Sequence, residues 1–218
     1  MNDFLVYFLI LIIYSFFGWC CEVLYGLIME KRLINRGFLI GPVCPIYGFG
    51  AIFMILFLTK YKSDPITVFV LGAVICSILE YFTSYIMEKL FNARWWDYSY
   101  IKFNINGRIC LPFSCLFGIL GVILICFVNP FVNSLIDMIP DIYITIISII
   151  LIIIFLSDII ISFNIINKIK LTAQNVSKDY TEEINKKVKE KLKNKLLQSR
   201  LLKAFPKFNF INHQKNTK

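Results

Sequence analysis

The run FLVYFLILIIYSFFGWCCEVLYGL, residues 4–27, carries a single charged side chain, Glu22. It is longer than the roughly 20 residues a helix needs to cross a hydrocarbon core. Apolar residues fill every face of it, so it is no amphipathic surface helix, and a segment greasy all round belongs in a protein core or a bilayer. It has no basic n-region, is too long for a typical signal h-region, and is followed by no A-x-A-like site, so it reads as a retained span.

Four further runs resemble it: Phe38 to Leu58, Ile66 to about Met87, Ile109 to Val128 and Ile142 to Ile166. The hydrophobic fraction of 58% exceeds the roughly 45–50% of soluble proteins, and only 17% of residues are charged. The expected fold is an all-α membrane protein of about five transmembrane helices, within a range of four to six. Pro42, Pro45, Gly48 and Gly50 interrupt the second run, and Pro112, Gly118 and Gly121 the fourth. Either is open to being broken or re-entrant, where protein or water satisfies its backbone.

The net charge of +9 is unevenly placed: from Lys168 onward there are 14 Lys and Arg against 4 acids, leaving −1 for everything before. The chain therefore divides into a transmembrane domain, residues 1–167, and a basic tail, residues 168–218. Ile184, Val188, Leu192, Leu196, Leu201 and Phe205 advance along that tail among lysines, the pattern of a basic amphipathic helix from about Lys178 to Phe205. Anionic lipid is its expected partner, with a helical partner or plain solvation as alternatives, and nucleic acid is not implied. Lys and Arg also concentrate in alternate connections: Lys31, Arg32 and Arg36, then Lys89, Arg94, Lys102 and Arg108. The positive-inside rule then sets the N-terminus outside and the tail in the cytoplasm of a cell membrane.

Ile28-Met29-Glu30-Lys31 recurs as Ile86-Met87-Glu88-Lys89, and the same offset carries Glu22 onto Glu80 and Arg36 onto Arg94. After a twelve-residue insertion the register resumes, with Gly37 on Gly107, Pro42 on Pro112, Tyr47 on Phe117 and Gly48 on Gly118. This predicts two tandem two-helix repeats, about 14–58 and 72–128, in the same orientation and related by an axis along the membrane normal. The span at 142–166 lies outside the repeat.

Ionisable groups inside spans cost about 2.5–3.5 kcal/mol near a helix centre, which makes them functional candidates. Glu80 follows Asp64 by sixteen residues, about 24 Å of helix, and Glu22 is its repeat mate. Glu80, Ser84 and Glu88 share one face, as do Glu22, Gly26 and Glu30. Two such faces would form a polar cavity, with Arg36, Arg94 and Arg108 available to neutralise the acids; the alternative is that acids and arginines pair only to hold the bundle together. Trp95, Trp96 and Asp97, beside Arg94 in the insertion, either anchor at headgroup level or clamp an amphiphilic solute. Asp158 reads as a helix-to-helix hydrogen bond or a site residue.

Seven cysteines without a CxxC, and a lone His213, give no zinc site. No metal or other cofactor is implied. No G-x-x-x-x-G-K-[ST], G-x-S-x-G or H-E-x-x-H occurs, so the chain carries no P-loop ATPase of its own.

The strings Tyr14-Ser15-x-x-Gly18-Trp19-x-x-Glu22, Asn35-Arg36-Gly37-Phe38-Leu39-x-Gly41-Pro42-x-Cys44-Pro45-Ile46-Tyr47-Gly48-x-Gly50 and Arg94-Trp95-Trp96-Asp97-Tyr98-Ser99 resemble the bacterial CmpB-like family of putative ABC-transporter permeases. Glu80-Tyr81, Met87-Glu88 and Asn104-x-Asn106-Gly107-Arg108 fit the same pattern. The resemblance implies a membrane subunit of a transporter, and the leading expectation is a non-enzymatic permease-like subunit binding or moving a small or lipid-like solute at the repeat interface, with any ATPase on a separate chain. It implies no catalytic residues. The alternatives are a membrane-embedded enzyme acting on a lipid or isoprenoid-like substrate, and an assembly or sensing protein whose tail recruits partners.

Overall fold

The structure is a computed structural model and describes residues 3–31, 35, 37–91, 93–176 and 209–210. Helix α1 (Asp3–Glu30) and helix α2 (Pro45–Leu58) form one antiparallel pair. Helices α3 (Pro65–Phe91) and α4 (Leu111–Ile123) form another. After α4 a five-residue π turn at Leu124–Val128 leads straight into α5 (Asn129–Asp137), and α6 (Asp141–Val176) completes the bundle.

Four of these stretches are long and apolar enough to cross a membrane: Asp3–Ile28, Pro65–Phe91, Leu111–Asp137 and Asp141–Lys168. The fifth apolar helix, Pro45–Tyr61, is shorter. Of the two readings of Phe38 to Leu58, a full-length span or a broken one, this bears out the broken one and corrects the other. Pro45 stands in the first turn of α2, and residues 38–44 ahead of it are not helical, because proline suits a helix start and restrains the residue before it from the α region.

An unwound segment at such a depth must find partners for its backbone within the protein. Cys44 donates its N–H to the Ser15 carbonyl at 2.9 Å. Asp158 of α6 accepts from the N–H groups of Ile40 and Gly41 at 2.9 and 2.8 Å, and from Ser162 at 3.0 Å. Asn35 accepts from the Trp19 indole and the Gly37 N–H and donates to the Ile40 carbonyl. Asp158 is thus the clamp that ties α6 to the segment leading into α2.

A second correction concerns residues 129–137, expected as a connection and found as helix. Pro130 has no N–H to give to the helix ladder, and the π turn just before it absorbs the break. Beyond it Asn129, Val132 and Ile136 face inward, and Val132 and Ile136 join Leu9, Ile10, Tyr14, Ala51 and Ile144 in one apolar core. A second core holds Met54, Leu58, Val68 and Ile125. The large apolar side chains left exposed, such as Ile149, Ile153 and Ile160 of α6, are the lipid-facing complement of these cores.

Glycine permits both tight helix pairs. A side chain at Gly48 would collide with the Ser15 hydroxyl and the Leu11 carbonyl of α1, and one at Gly118 with the ring and carbonyl of Phe69 on α3. Small residues of this kind let membrane helices approach backbone to backbone.

The connection between α3 and α4 contains strand β1 (Ala93–Arg94) and a hairpin of β2 (Asn104–Ile105) with β3 (Ile109–Cys110). Strand β4 (Asn209–Phe210) pairs antiparallel with β1. The amphipathic helix expected at about Lys178 to Phe205 lies outside the described residues.

Candidate functional site

Glu22 and Glu80 both sit on membrane-spanning helices, and each accepts a hydrogen bond from a tyrosine. Tyr47, in the first turn of α2, donates its hydroxyl to Glu22 Oε1 at 2.6 Å. Tyr98, in the α3–α4 connection, donates to Glu80 Oε1 at 3.1 Å. Glu80 is only 6% exposed, and among the described residues its second oxygen has no hydrogen-bond partner and its carboxylate no ion pair.

Tyr98 reaches so deep because its loop folds back into the bundle. The turn Ile105–Arg108 closes with an Arg108 N–H to Ile105 carbonyl bond of 3.0 Å, with Asn106 and Gly107 at φ of 54° and 67°. Asn-Gly is the dipeptide best suited to two successive left-handed residues. A side chain at Gly107 would strike the Asp97 carboxylate and the Ser99 hydroxyl. The Gly107 carbonyl accepts from the Tyr98 N–H at 2.8 Å, and the Tyr98 ring stacks on Phe113 with centroids 4.9 Å apart. Burial pushes the Tyr98 phenol well above its ordinary value, with the nearby Glu80 carboxylate, its hydrogen bond to Glu80, Cys110 and the Glu22 carboxylate adding in the same direction. Tyr98 therefore sits against the Glu80 carboxylate.

The second acid of α3 is built differently. Glu88 Oε2 receives Arg94 Nε and Arg108 Nη2, each at 2.9 Å. Arg108 also donates to the Ser84 hydroxyl at 3.2 Å and lies over the Tyr81 and Tyr85 rings, 5.7 and 5.4 Å from their centroids. Arg94 has a longer approach of 3.7 Å to Asp97. The sequence expectation held Arg36, Arg94 and Arg108 available to neutralise the carboxylates generally; the structure gives Arg94 and Arg108 to Glu88, about two helical turns beyond Glu80.

Of the aromatics in the insertion, Trp95 is buried against Phe38 and Phe91 at 5.6 and 6.2 Å, and Phe91 in turn packs on Phe163 of α6 at 5.4 Å. Trp96 donates its indole N–H to the Arg108 carbonyl at 3.0 Å. Asp97 caps the turn by accepting from Ser99. These side chains build the loop that delivers Tyr98. The structure brings Glu80, Glu88, Arg94, Trp96, Asp97 and Arg108 onto that loop and the α3 face, with Glu22 within the field of Tyr98. The side chain of Glu30 and all of Arg36 lie outside the described residues.

Sequence reasoning missed Tyr47 and Tyr98 as hydroxyl donors to the acids, and Tyr81 and Tyr85 as the bed for Arg108. The spacing of Tyr81 and Tyr85 on the Glu80–Ser84–Glu88 helix could have found the second pair, since i and i+4 residues are neighbours. Among the described residues no group of three metal-ligating side chains assembles.

A family model described as Putative ABC-transporter type IV matches residues 9–163 of this chain. Neither the curated proteins nor the solved structures contain a match.

Proposed function

The chain belongs to that ABC-transporter type IV family and is a multi-pass membrane protein, and from this premise we propose that it is a permease-like subunit whose solute path runs between its two helix pairs. The observation that carries the reading is the pair of membrane carboxylates, Glu22 and Glu80, each accepting from a tyrosine, with one buried oxygen of Glu80 that has no hydrogen-bond partner among the described residues. A lone carboxylate oxygen in low dielectric is expensive, so its retention at the meeting of two helix pairs favours a binding role over a structural one.

The two pairs are read as tandem repeats in one orientation. Gly48 against the Leu11 carbonyl and Gly118 against the Phe69 carbonyl support this, because Leu11 and Phe69 are separated by the same offset as Glu22 and Glu80. In this arrangement the N-terminus is outside, the basic tail is cytoplasmic against anionic lipid, and ATP hydrolysis belongs to a separate chain. Among the described arginines, Arg94 and Arg108 weigh against the rival of a phosphate-binding enzyme, since both are engaged by Glu88.

The test is to purify the full chain in detergent, identify retained solutes and lipids by mass spectrometry, and measure uptake of any enriched compound into proteoliposomes. Wild type should retain and move a compound that Glu80→Gln, eluting as the same folded species, does not. Equal retention and uptake would remove Glu80 from the path. A retained lipid chemically altered by wild type and untouched by Glu88→Gln would move the reading to an enzyme.

A further inference from the structure

The hairpin of the α3–α4 connection sorts its side chains the opposite way from a loop in water, where polar groups ordinarily face out. Asn104 is turned into the loop: its Nδ2 donates to the Ile101 carbonyl at 2.7 Å and its Oδ1 accepts from the Gly107 N–H at 2.9 Å. Successive residues of an extended strand point to opposite faces, so Phe103 and Ile105 face away, and they are 79% and 57% exposed. Lys102 is exposed beside them. Trp95 and Trp96, the aromatics expected at headgroup level, are instead engaged within the protein. From this inversion we infer that the β2–β3 hairpin is a membrane-interface anchor, with Phe103 and Ile105 set among lipid chains at the headgroup boundary and Lys102 against the phosphates of anionic lipid.

The depth of the hairpin carries the argument. Asn106, at its turn, donates to the Tyr81 hydroxyl at 2.9 Å. Tyr81 stands ten residues before Phe91, the last residue of α3, about 15 Å along the helix. At the other end the N–H of Leu111, the first residue of α4, donates to the Phe103 carbonyl at 3.0 Å. The hairpin therefore lies back along the last turns of one membrane-spanning helix and against the first turn of the next, not out beyond them. On those turns Phe82 and Ile86 of α3 and Leu111 of α4 are exposed as well, so its outward face continues a lipid-facing surface.

Non-helical backbone reaches such a depth only where its polar groups are met. The hairpin pairs Asn104 with Cys110 and Ile105 with Ile109, the Arg108 N–H reaches the Ile105 carbonyl, and the Tyr98 N–H reaches the Gly107 carbonyl. The outer edge of this two-stranded sheet and the Lys102 ammonium still call for water or headgroups, which sets the hairpin at the boundary and not at the bilayer centre. Phe103 holds φ at 57°, a region bulky residues rarely adopt. Keeping a large apolar side chain at such a bend, with its carbonyl tied to Leu111, points to a contact made outside the chain.

The test reconstitutes the full chain in vesicles of phosphatidylcholine and phosphatidylglycerol. A trace of phosphatidylcholine carries a photoactivatable diazirine either near the glycerol end of its acyl chain or at the chain terminus, and adducts are mapped by peptide mass spectrometry. Phe103 and Ile105 should be labelled severalfold more by the first probe than by the second. Ile153 of α6, exposed near the middle of its span, should show the reverse. Phe103→Ser combined with Ile105→Ser should cut labelling of the hairpin severalfold and leave that of Ile153 unchanged, which also shows that the variant is folded in the bilayer. Absence of adducts on the hairpin while Ile153 is labelled overturns the inference, and so does equal labelling of the hairpin in wild type and the double variant. Labelling of Phe103 chiefly by the chain-terminal probe overturns the boundary position. A second polypeptide cross-linked to Phe103 in native membranes, in place of lipid, assigns the face to a protein and overturns the lipid anchor.

Discussion

The segment leading into α2 and the loop leading into α4 do the same task by different means. Each delivers a tyrosine hydroxyl to a carboxylate on the preceding membrane helix. In the first, the tyrosine is Tyr47 on α2 itself, and the unwound residues ahead of it are held by Asp158 and Asn35 through their backbone. In the second, the tyrosine is Tyr98, on the α3–α4 loop rather than on α4 itself, and that loop is held by side-chain charges. The difference teaches that the polar site is kept by its hydroxyl-to-carboxylate bond, while the scaffold that carries it is free to change.

The largest test of this contrast falls on the charge-built half. Arg108→Ala removes one of two cations from a buried Glu88 and should cost roughly 3–5 kcal/mol, read as loss of the folded monodisperse species or a large drop in thermal midpoint in detergent. An unchanged midpoint would mean the hairpin does not depend on that ion pair. Asp158→Ala probes the backbone-built half. It leaves the Ile40 and Gly41 N–H groups without their acceptor, at roughly 1–3 kcal/mol for each unmet group. Equal stability of this variant and wild type would break the account of the clamp.

How much of this was legible beforehand follows from the length scale of each signal. The long helices could be read because twenty or so consecutive apolar residues are sufficient in themselves. The shortened α2 was legible in part, since Pro42 and Pro45 marked the interruption without saying which side would unwind. Helix α5 was missed because its inward face has only two apolar residues, Val132 and Ile136, beside the polar Asn129, and Pro130 argues locally against a helix. Glu22, Glu80 and Glu88 stood out as charges among apolar residues, but their different fates did not. The Asp158 clamp joins positions 117 residues apart, and the descent of Tyr98 depends on a hairpin whose only local sign was Asn106-Gly107.

A further test sharpens the comparison at the turn. Gly107→Ala places a side chain at φ 67° against Asp97 and Ser99, and the left-handed penalty alone is about 1–2 kcal/mol. The cost should appear as lower stability together with weaker coupling of Tyr98 to Glu80; a neutral substitution would mean that the loop is not set by this turn.

The smallest effect concerns pH. Because the Tyr98 phenol is held above its ordinary value in the folded chain, the folded state keeps a proton that the unfolded state loses. Its contribution to stability is therefore complete below about pH 10, the usual tyrosine value, and declines as pH rises beyond it. Tyr98→Phe should flatten the alkaline fall in thermal midpoint relative to wild type, and parallel curves would contradict the assignment.

The central claim is that acids from both helix pairs share one polar site around Tyr98, and a pair of double-mutant cycles on detergent-purified protein tests it most directly. Tyr98→Phe combined with Glu80→Gln, and separately with Glu22→Gln, should give stability changes that do not add. Coupling of about 0.5–3 kcal/mol is expected between Tyr98 and Glu80, its hydrogen-bond partner, and a smaller one between Tyr98 and Glu22. Strict additivity in both cycles would mean that Tyr98 touches neither acid in the folded protein, and the shared site would not exist.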